Sequence, residues 1–239
     1  MNENISLSQC VSYIDCQLGL ACPGKPRAQA ARLRANPSIT ISRQTGAGGT
    51  SVACLLADYL QKHGPKPACP WTVFDKNLME KVLADHNLPT RLAQYLPEDK
   101  KSMIADIMEE LLGLHPPSYT LQRQTTETIL QLADLGNVIL VGRGAHVITS
   151  RLENVLHVRL VAPLETRVQR IQTTQQLSQR AAREFVQHTD QGRTRYLKKH
   201  FQADIDDPLL YHLVINTDWL THEETAKLIG DTVLKKYYP

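Results

Sequence analysis

Short apolar runs alternate with longer amphipathic segments along most of this 239-residue chain. Five runs are rich in apolar and β-branched residues, which predicts strands: 38–42, 71–74, 137–141, 156–161 and 211–216. Helical spacing of apolar positions predicts helices between and after them: 50–63, 76–86, 97–114, 119–135, 164–175, 178–201 and 221–236. Because strands separated by helices need crossover connections, the pattern predicts an α/β fold in three layers, with a parallel five-stranded sheet flanked by helices.

The first 37 residues do not follow this alternation. Their pattern allows one short helix over 5–20, and a cluster of helix breakers follows at Cys22-Pro23-Gly24-Lys25-Pro26. We therefore expect an N-terminal appendage at 1–37 and a main domain at 38–239.

Composition narrows the classes of partner. The net charge of +3 is too small to make nucleic acid the main partner, and the basic stretch 27–34 has few aromatic residues for base stacking. No apolar run approaches the roughly 20 residues of a membrane helix, and no secretory signal is visible, so we expect a cytoplasmic location. The 5 cysteines form no C-x-x-C pair, which predicts reduced thiols rather than a disulfide framework or a zinc site.

A glycine-rich turn directly follows the first predicted strand. Its sequence is Thr45-Gly46-Ala47-Gly48-Gly49-Thr50-Ser51. A strand, such a turn and a helix together bind phosphate through backbone N–H groups and the positive end of the helix. We therefore predict that the phosphates of ATP lie on six residues, with the Thr50 hydroxyl as a Mg²⁺ ligand: Gly46, Ala47, Gly48, Gly49, Thr50 and Ser51.

The turn departs from the standard phosphate-loop motif G-x-x-x-x-G-K-[ST] at two positions. Arg43 stands at the first glycine position, and Gly49 stands at the lysine position. The lysine normally contacts the β- and γ-phosphates, so another cation must supply that charge or catalysis is impaired. Arg43 is the nearest candidate.

Five motifs in order resemble the cytidylate kinase-like family, a branch of the P-loop nucleoside monophosphate kinases that also carries glycine in place of the lysine. The similarity covers roughly residues 38–235 and rests on these segments: Ile41-Ser42-Arg43-Gln44-Thr45-Gly46-Ala47-Gly48-Gly49, Val141-Gly142-Arg143-Gly144-Ala145, Val158-Arg159-Leu160-Val161-Ala162-Pro163-Leu164-Glu165-Thr166-Arg167-Val168-Gln169-Arg170, Asp190-Gln191-Gly192-Arg193-Thr194-Arg195-Tyr196 and Asp207-Pro208-Leu209-Leu210-Tyr211-His212-Leu213-Val214-Ile215-Asn216-Thr217.

The resemblance implies a P-loop NTPase fold with a helical lid over approximately 165–205. It also implies transfer of the γ-phosphoryl group of ATP to a nucleoside monophosphate, with Mg²⁺ as cofactor and CMP or dCMP as the favoured acceptor. Relatives of this family make a homodimer an expected assembly.

Three residues are predicted to contact the acceptor. Arg143 follows a buried strand at the carboxyl edge of the sheet, where ligand sites of open α/β folds form, although an arginine can also simply cap a strand end. Asp75 ends another strand and could cap the next helix, or contact the acceptor or Mg²⁺ through water. Asp190 joins them through its motif, although it could also merely pair with Arg193 on a helix.

Four arginines are predicted to act on the transferred phosphoryl group: Arg43, Arg167, Arg170 and Arg193. Guanidinium groups grip phosphate through two hydrogen bonds and stay protonated, and a closing lid would bring them onto the phosphate. A solvated charged helix face is the alternative for most of these residues.

Two other functions remain open from the sequence. The same scaffold could phosphorylate a different small-molecule acceptor. The missing lysine also favours a nucleotide-binding regulator or pseudokinase without turnover.

Overall fold

The computed structural model describes residues 7–17, 19, 36–66, 69–77, 98–112 and 120–239, so most of the predicted helix over 76–86 lies outside the described residues. The sheet has five parallel strands in the order β2-β3-β1-β4-β5. The strands are β1 (Ser38–Arg43), β2 (Thr72–Phe74), β3 (Val138–Val141), β4 (Val155–Val161) and β5 (Leu213–Asn216). This order confirms the predicted parallel sheet and is that of a P-loop kinase fold.

Helices cover both faces of the sheet in the described part of the chain. They are α1 (Leu7–Gln17), α2 (Gly49–His63), α3 (Glu98–Leu112), α4 (Thr120–Leu135), α5 (Ala145–Ile148), α6 (Leu164–Gln175), α7 (Gln179–Phe201) and α8 (His222–Tyr237). One apolar cluster joins α2 and α8 to one face, and a second joins α1, α3 and α4 to the other. Within these ranges, no helix combines the length and apolarity needed to cross a bilayer.

The register of the strands brings the ends of β1, β2 and β3 together. Ile41 on β1 pairs with Val141 on β3, and Phe74 on β2 pairs with Leu140. The residues that follow each strand therefore emerge at one edge, and the N–H of Gly142 still donates to the Ile41 carbonyl at 3.0 Å. Side chains just past these strands thus lie around one site, as expected for an open parallel sheet.

Helix α1, the described part of the predicted appendage at 1–37, packs against the core of the main domain. Cys10 and Tyr13 are fully buried. The Tyr13 hydroxyl donates to the Gly136 carbonyl at 2.5 Å, and its ring meets Phe74 edge-on with centroids 5.8 Å apart. An amphipathic helix that buries its apolar face against the sheet edge is part of the domain, since leaving that face in water would cost free energy.

The cysteines also differ from the sequence expectation. A disulfide joins Cys16 on α1 to Cys69 just before β2, so these two thiols are not reduced. Cys10 remains a thiol, and its Sγ lies 3.6 Å from the Val73 carbonyl. Burial, assisted by the charge of Asp75, raises the pKa of Cys10 to about 12, so it packs as a small apolar side chain.

The docking of α1 can be tested with Tyr13→Ala. Loss of a buried ring and its hydrogen bond should lower the free energy of unfolding by about 3–5 kcal/mol in urea denaturation. Ser12→Ala, on the exposed side of the same helix, is the control and should change it by less than ~0.5 kcal/mol. Equal stability of the two variants would contradict the packing of α1.

Candidate active site

The glycine-rich loop links β1, the central strand, to α2. Gly46 and Gly48 have φ angles of +82° and +78°, a region that costs glycine little and other residues more. Side chains there would also collide with neighbours, because a Cβ on Gly46 would lie 2.6 Å from the Arg167 carbonyl oxygen and one on Gly48 would meet the His222 ring. The loop therefore sits pressed between α6 and the start of α8.

Side chains from outside the loop hold its carbonyl groups. The four hydrogen bonds are Arg193 Nη1 to Arg43 O (3.3 Å), Arg167 Nη1 to Thr45 O (3.2 Å), Arg170 Nη1 to Gly46 O (3.3 Å) and Thr217 Oγ1 to Ala47 O (3.2 Å). In a trans peptide the N–H points opposite to the C=O, so these contacts turn neighbouring N–H groups to the other side. No hydrogen bond within the described residues uses the amides of residues 46 and 48–51.

The Asp190 carboxylate connects α7 to the loop. Its Oδ1 accepts from the Thr45 amide and hydroxyl, both at 2.7 Å, and from Arg193 Nη1 at 3.1 Å. Its Oδ2 accepts from Arg167 Nη1 at 2.6 Å. Arg193 Nη1 also donates to the Thr45 hydroxyl at 2.7 Å. We call these four side chains the Asp190 network. The predicted pair between Asp190 and Arg193 exists, and it reaches the loop as well.

Three of the arginines predicted to contact phosphate therefore contact the loop itself. Arg167 is buried and donates to carbonyl groups and Asp190. Arg170 is held by the Thr217 hydroxyl and carbonyl at 3.1 and 2.6 Å, besides the loop. Arg193 is partly buried, and burial lowers its pKa. Their action on a transferred phosphoryl group remains a prediction.

A cavity of about 440 Å³ opens beside the loop at the carboxyl edge of the sheet. Four of its lining residues are basic: Arg43 at the end of β1, Lys76 after β2, Arg143 after β3 and Arg193 on α7. Burial, with the charge of Arg193, lowers the pKa of Arg43 to about 10, which leaves it protonated at neutral pH. The sequence-predicted Arg43, Arg143 and Arg193 thus share one cavity, whereas Arg167 and Arg170 do not line it.

Arg143 adopts an unusual backbone conformation at the mouth of this cavity. Its φ is +55°, between Gly142 at +89° and Gly144 at +71°. Such a conformation costs a non-glycine residue on the order of 1 kcal/mol and tends to persist where function requires it. Gly144 has no room for a side chain, because a Cβ would lie 2.7 Å from the Phe201 ring at the end of α7. Packing therefore fixes the turn that presents Arg143.

A polar cluster at the cavity wall, buried except for Asp206, was not predicted from the sequence. Arg159 on β4 donates to the Ser42 hydroxyl at 3.0 Å and to Asp206 at 2.6 Å, with its guanidinium 5.6 Å from the Tyr211 ring centre. The Tyr211 hydroxyl lies 3.3 Å from His146 Nε2. Burial, with the charge of Arg159, lowers the pKa of His146 to about 4. The one available signal was an arginine within the apolar segment 156–161.

The residues predicted to contact metal and nucleotide lie at the start of α2 and just after β2. Thr50 is exposed in the first turn of α2, and Ser51 beside it is half-buried. Asp75 directly follows β2, and its charge raises the pKa of Arg43 against the effect of burial. The described residues contain no group of three or more His, Cys, Asp or Glu side chains that could hold a metal by themselves.

The loop after the central parallel strand, with a basic cavity at the same sheet edge, is the arrangement of a P-loop fold. The chain belongs to the cytidylate kinase-like family, whose model matches residues 38–219. Among relatives, the cytidylate kinase of Methanopyrus kandleri is 30% identical over 200 residues, which cover 80% of this chain and 90% of that protein.

Two further similarities are more restricted. The uronate isomerase of Corynebacterium glutamicum is 33% identical over 115 residues, or 48% of this chain; the chain spans only 22% of that protein, so its isomerase activity is not transferred. The crystal structure of an uncharacterized protein from Eubacterium ventriosum superposes with a TM-score of 0.57 at 18% identity, over 84% of this chain and 99% of that one. This likeness supports the fold alone.

The Asp190 network makes a stability prediction. Asp190→Ala removes the carboxylate from Arg167, whose side chain is only 9% exposed, and should lower the free energy of unfolding by about 3 kcal/mol. Glu184→Ala is the control, since it breaks an exposed ion pair with Arg180 on the same helix and should cost less than ~0.5 kcal/mol. Equal urea midpoints for the two variants would contradict the predicted contribution of Asp190 to stability.

Two buried histidines predict a loss of stability in acid. Burial lowers the pKa of His146 to about 4 and of His157 to about 3. Histidines of the unfolded chain bind protons near pH ~6.5, so the unfolded state takes up more protons as pH falls below that value. The free energy of unfolding should therefore fall from pH ~6.5 towards the native pKa values, by up to about 1.4 kcal/mol per pH unit for each histidine.

The variant His157→Gln isolates this effect in urea denaturation at pH 7 and pH 5. It should lose stability at pH 7, because the bond between Thr40 Oγ1 and His157 Nδ1 at 2.9 Å is altered, but show a shallower dependence on pH. If His157→Gln kept the wild-type dependence of stability on pH, His157 would not be a group that takes up its proton only on unfolding.

Proposed function

We propose that this chain transfers the γ-phosphoryl group of ATP to a nucleoside monophosphate, with CMP or dCMP as the preferred acceptor. A phosphate oxygen of the acceptor forms the new bond to the γ-phosphorus. The bond from that phosphorus to the bridging oxygen breaks, and its electron pair stays on the β-phosphate of ADP. Membership of the cytidylate kinase-like family and the similarity to the Methanopyrus kandleri enzyme support this class of substrate.

The observation that carries the proposal is the meeting of two anion-binding features at one edge of the sheet. The loop offers amides of residues 46 and 48–51 that no group in the described chain uses. The neighbouring cavity presents Arg43, Lys76, Arg143 and Arg193. Two phosphorylated ligands repel each other, and phosphoryl transfer consists mainly of positioning and charge neutralisation, which such cations supply.

The cavity suits the acceptor in size and lining. Its volume of about 440 Å³ falls within the usual range of small-molecule sites, ~300–1,000 Å³. Beyond its basic side chains it has the ring of Tyr196 and the apolar Leu197 and Ile205, against which a nucleobase or sugar can pack. We assign the phosphate of the acceptor to Arg143, and the phosphates of ATP to the loop.

Mg²⁺ is the expected companion of ATP in this proposal, and the residues present fit an ion held mainly by phosphate oxygens. Such ions use one or two protein oxygens and keep several waters. Thr50 offers a hydroxyl in the first turn of α2, and Asp75 borders the same edge and could act through water. Bound there, the ion would neutralise charge on the β- and γ-phosphates.

The deciding assay measures ADP formation from ATP and Mg²⁺ with a panel of ribo- and deoxyribonucleoside monophosphates. We expect CMP or dCMP to accelerate it most. If no monophosphate accelerates ADP formation, the proposal is wrong, and two outcomes then separate the alternatives. Turnover with another phosphate acceptor from a metabolite pool would identify a kinase of different specificity, while ATP binding without any turnover would identify a regulator.

Arg143→Ala tests the acceptor site. Hydrogen bonds to a charged phosphate contribute about 1.5–3 kcal/mol, so the variant should raise the acceptor KM by roughly 10- to 100-fold. The affinity for ATP should change by less than about threefold, which is within ~0.7 kcal/mol. Arg180→Ala, whose side chain is 90% exposed, should match the wild type. Equal losses of acceptor use and ATP binding would count against the assigned role of Arg143.

A further inference from the structure

The two departures of the loop from the standard motif are reciprocal. The segment Arg43-Gln44-Thr45-Gly46-Ala47-Gly48-Gly49-Thr50 aligns with G-x-x-x-x-G-K-[ST] without a gap. A long cationic side chain stands at the first position, where the motif has none, and no side chain stands at the seventh, where the motif has lysine. The loop thus keeps one cation and one bare position but has them in opposite places.

The side chain of Arg43 occupies the space next to residue 49. A Cβ built on Gly49 would lie 2.8 Å from Cγ, 3.1 Å from Cδ and 3.3 Å from Cβ of Arg43. The Cβ of a lysine at position 49 would therefore overlap the aliphatic carbons of the Arg43 side chain. Gly49 has ordinary helical backbone at the start of α2, so its lack of a side chain reflects this neighbour and not its dihedral angles.

The guanidinium of Arg43 extends across the end of β3. A Cβ on Gly142 would collide with Arg43 Nη1, so a second bare position keeps the path of this side chain open. From there Arg43 lines the same cavity as Arg143 and Arg193. The cation therefore comes from the central strand and lies on the cavity side of the loop.

Arg43 also differs from the other arginines near the loop in its bonding. The other three, Arg167, Arg170 and Arg193, donate hydrogen bonds to loop carbonyls, Thr217 or Asp190. In the part of the chain that the structure describes, no carboxylate or carbonyl accepts a hydrogen bond from the Arg43 guanidinium, although it feels the charges of Asp75 and Asp190. Its donors are therefore not committed to holding the loop in shape.

We propose that residues 43 and 49 have exchanged the roles of the standard motif: Arg43 supplies the cation that contacts the β- and γ-phosphates, and Gly49 is bare to make room for it. This rests on the proposed function for its reaction, but the binding of a triphosphate alone is enough to reveal it. Because Arg43 lines the acceptor cavity, it approaches the γ-phosphate from the side on which the acceptor binds.

A double-mutant cycle tests the exchange with Arg43→Ala, Gly49→Ala and the double variant. The standard motif carries a Cβ at position 49 next to bound phosphate, so Gly49→Ala does not by itself block the phosphates. Binding of a non-hydrolysable ATP analogue with Mg²⁺ is measured by calorimetry, and turnover by ADP formation. Urea midpoints of all four proteins are compared first, and if Gly49→Ala does not fold, the variant that changes Arg43→Gly and Gly49→Lys together carries the test.

Arg43→Ala should weaken analogue binding by at least about tenfold, as expected for loss of a charge-assisted contact. Gly49→Ala should weaken it by a similar factor, because the new methyl group displaces Arg43, but should have less than about a twofold effect in the Arg43→Ala background. An equal loss from Gly49→Ala in both backgrounds, or no loss in either, would overturn the exchange.

The swapped variant Arg43→Gly with Gly49→Lys restores the standard arrangement and should bind the analogue more tightly than Arg43→Gly alone; no gain would also count against the exchange.

The two proposals fail separately. If no monophosphate stimulates ADP formation by the wild type, the proposed kinase function fails while coupling between positions 43 and 49 still appears in binding. If turnover is normal and that coupling is absent, only the exchange fails.

Discussion

One carboxylate, that of Asp190, ties the glycine-rich loop to α6 and α7. Asp190 accepts four hydrogen bonds: Oδ1 accepts two from Thr45 and one from Arg193, and Oδ2 accepts one from Arg167. Because the residues come from the loop, α6 and α7, those three elements can move only together or by breaking charge-assisted bonds. The predicted lid over approximately 165–205 would therefore have to break these bonds to move relative to the loop.

The arginines of the predicted site fall into two groups that differ in what they contact. Arg167 and Arg170 hold carbonyl groups of the loop, which directs neighbouring amides to the opposite side. Arg43 and Arg143 extend into the cavity beside it. Positive charge thus occurs at two places, on the carbonyl groups of the loop and along the wall of the cavity. Arg193 belongs to both groups, since it lines the cavity and binds Asp190.

Much of the fold followed from the sequence because strands and helices leave periodic patterns, and the carboxyl-edge position of Arg43, Asp75 and Arg143 followed from strand ends. Long-range pairing left no such trace. The cluster of Arg159, Tyr211 and His146 joins distant segments, and its hint was a charged residue in an apolar run. The docking of α1 was equally hidden, since an amphipathic helix does not reveal which surface it covers. The catalytic roles remain predictions, because neither the sequence pattern nor the packing of side chains shows which residues contact a ligand.

The disulfide between Cys16 and Cys69 ties the fold to its chemical surroundings. It closes a segment with a sequence separation of 53, for which chain-entropy models give a stabilisation of about 4 kcal/mol through the unfolded state. That contribution exists only where the two thiols are oxidised to the disulfide. The stability of the contact between α1 and the segment before β2 thus depends on whether the surroundings oxidise thiols. Protein purified with reductant and protein purified without it therefore differ in their free energy of unfolding.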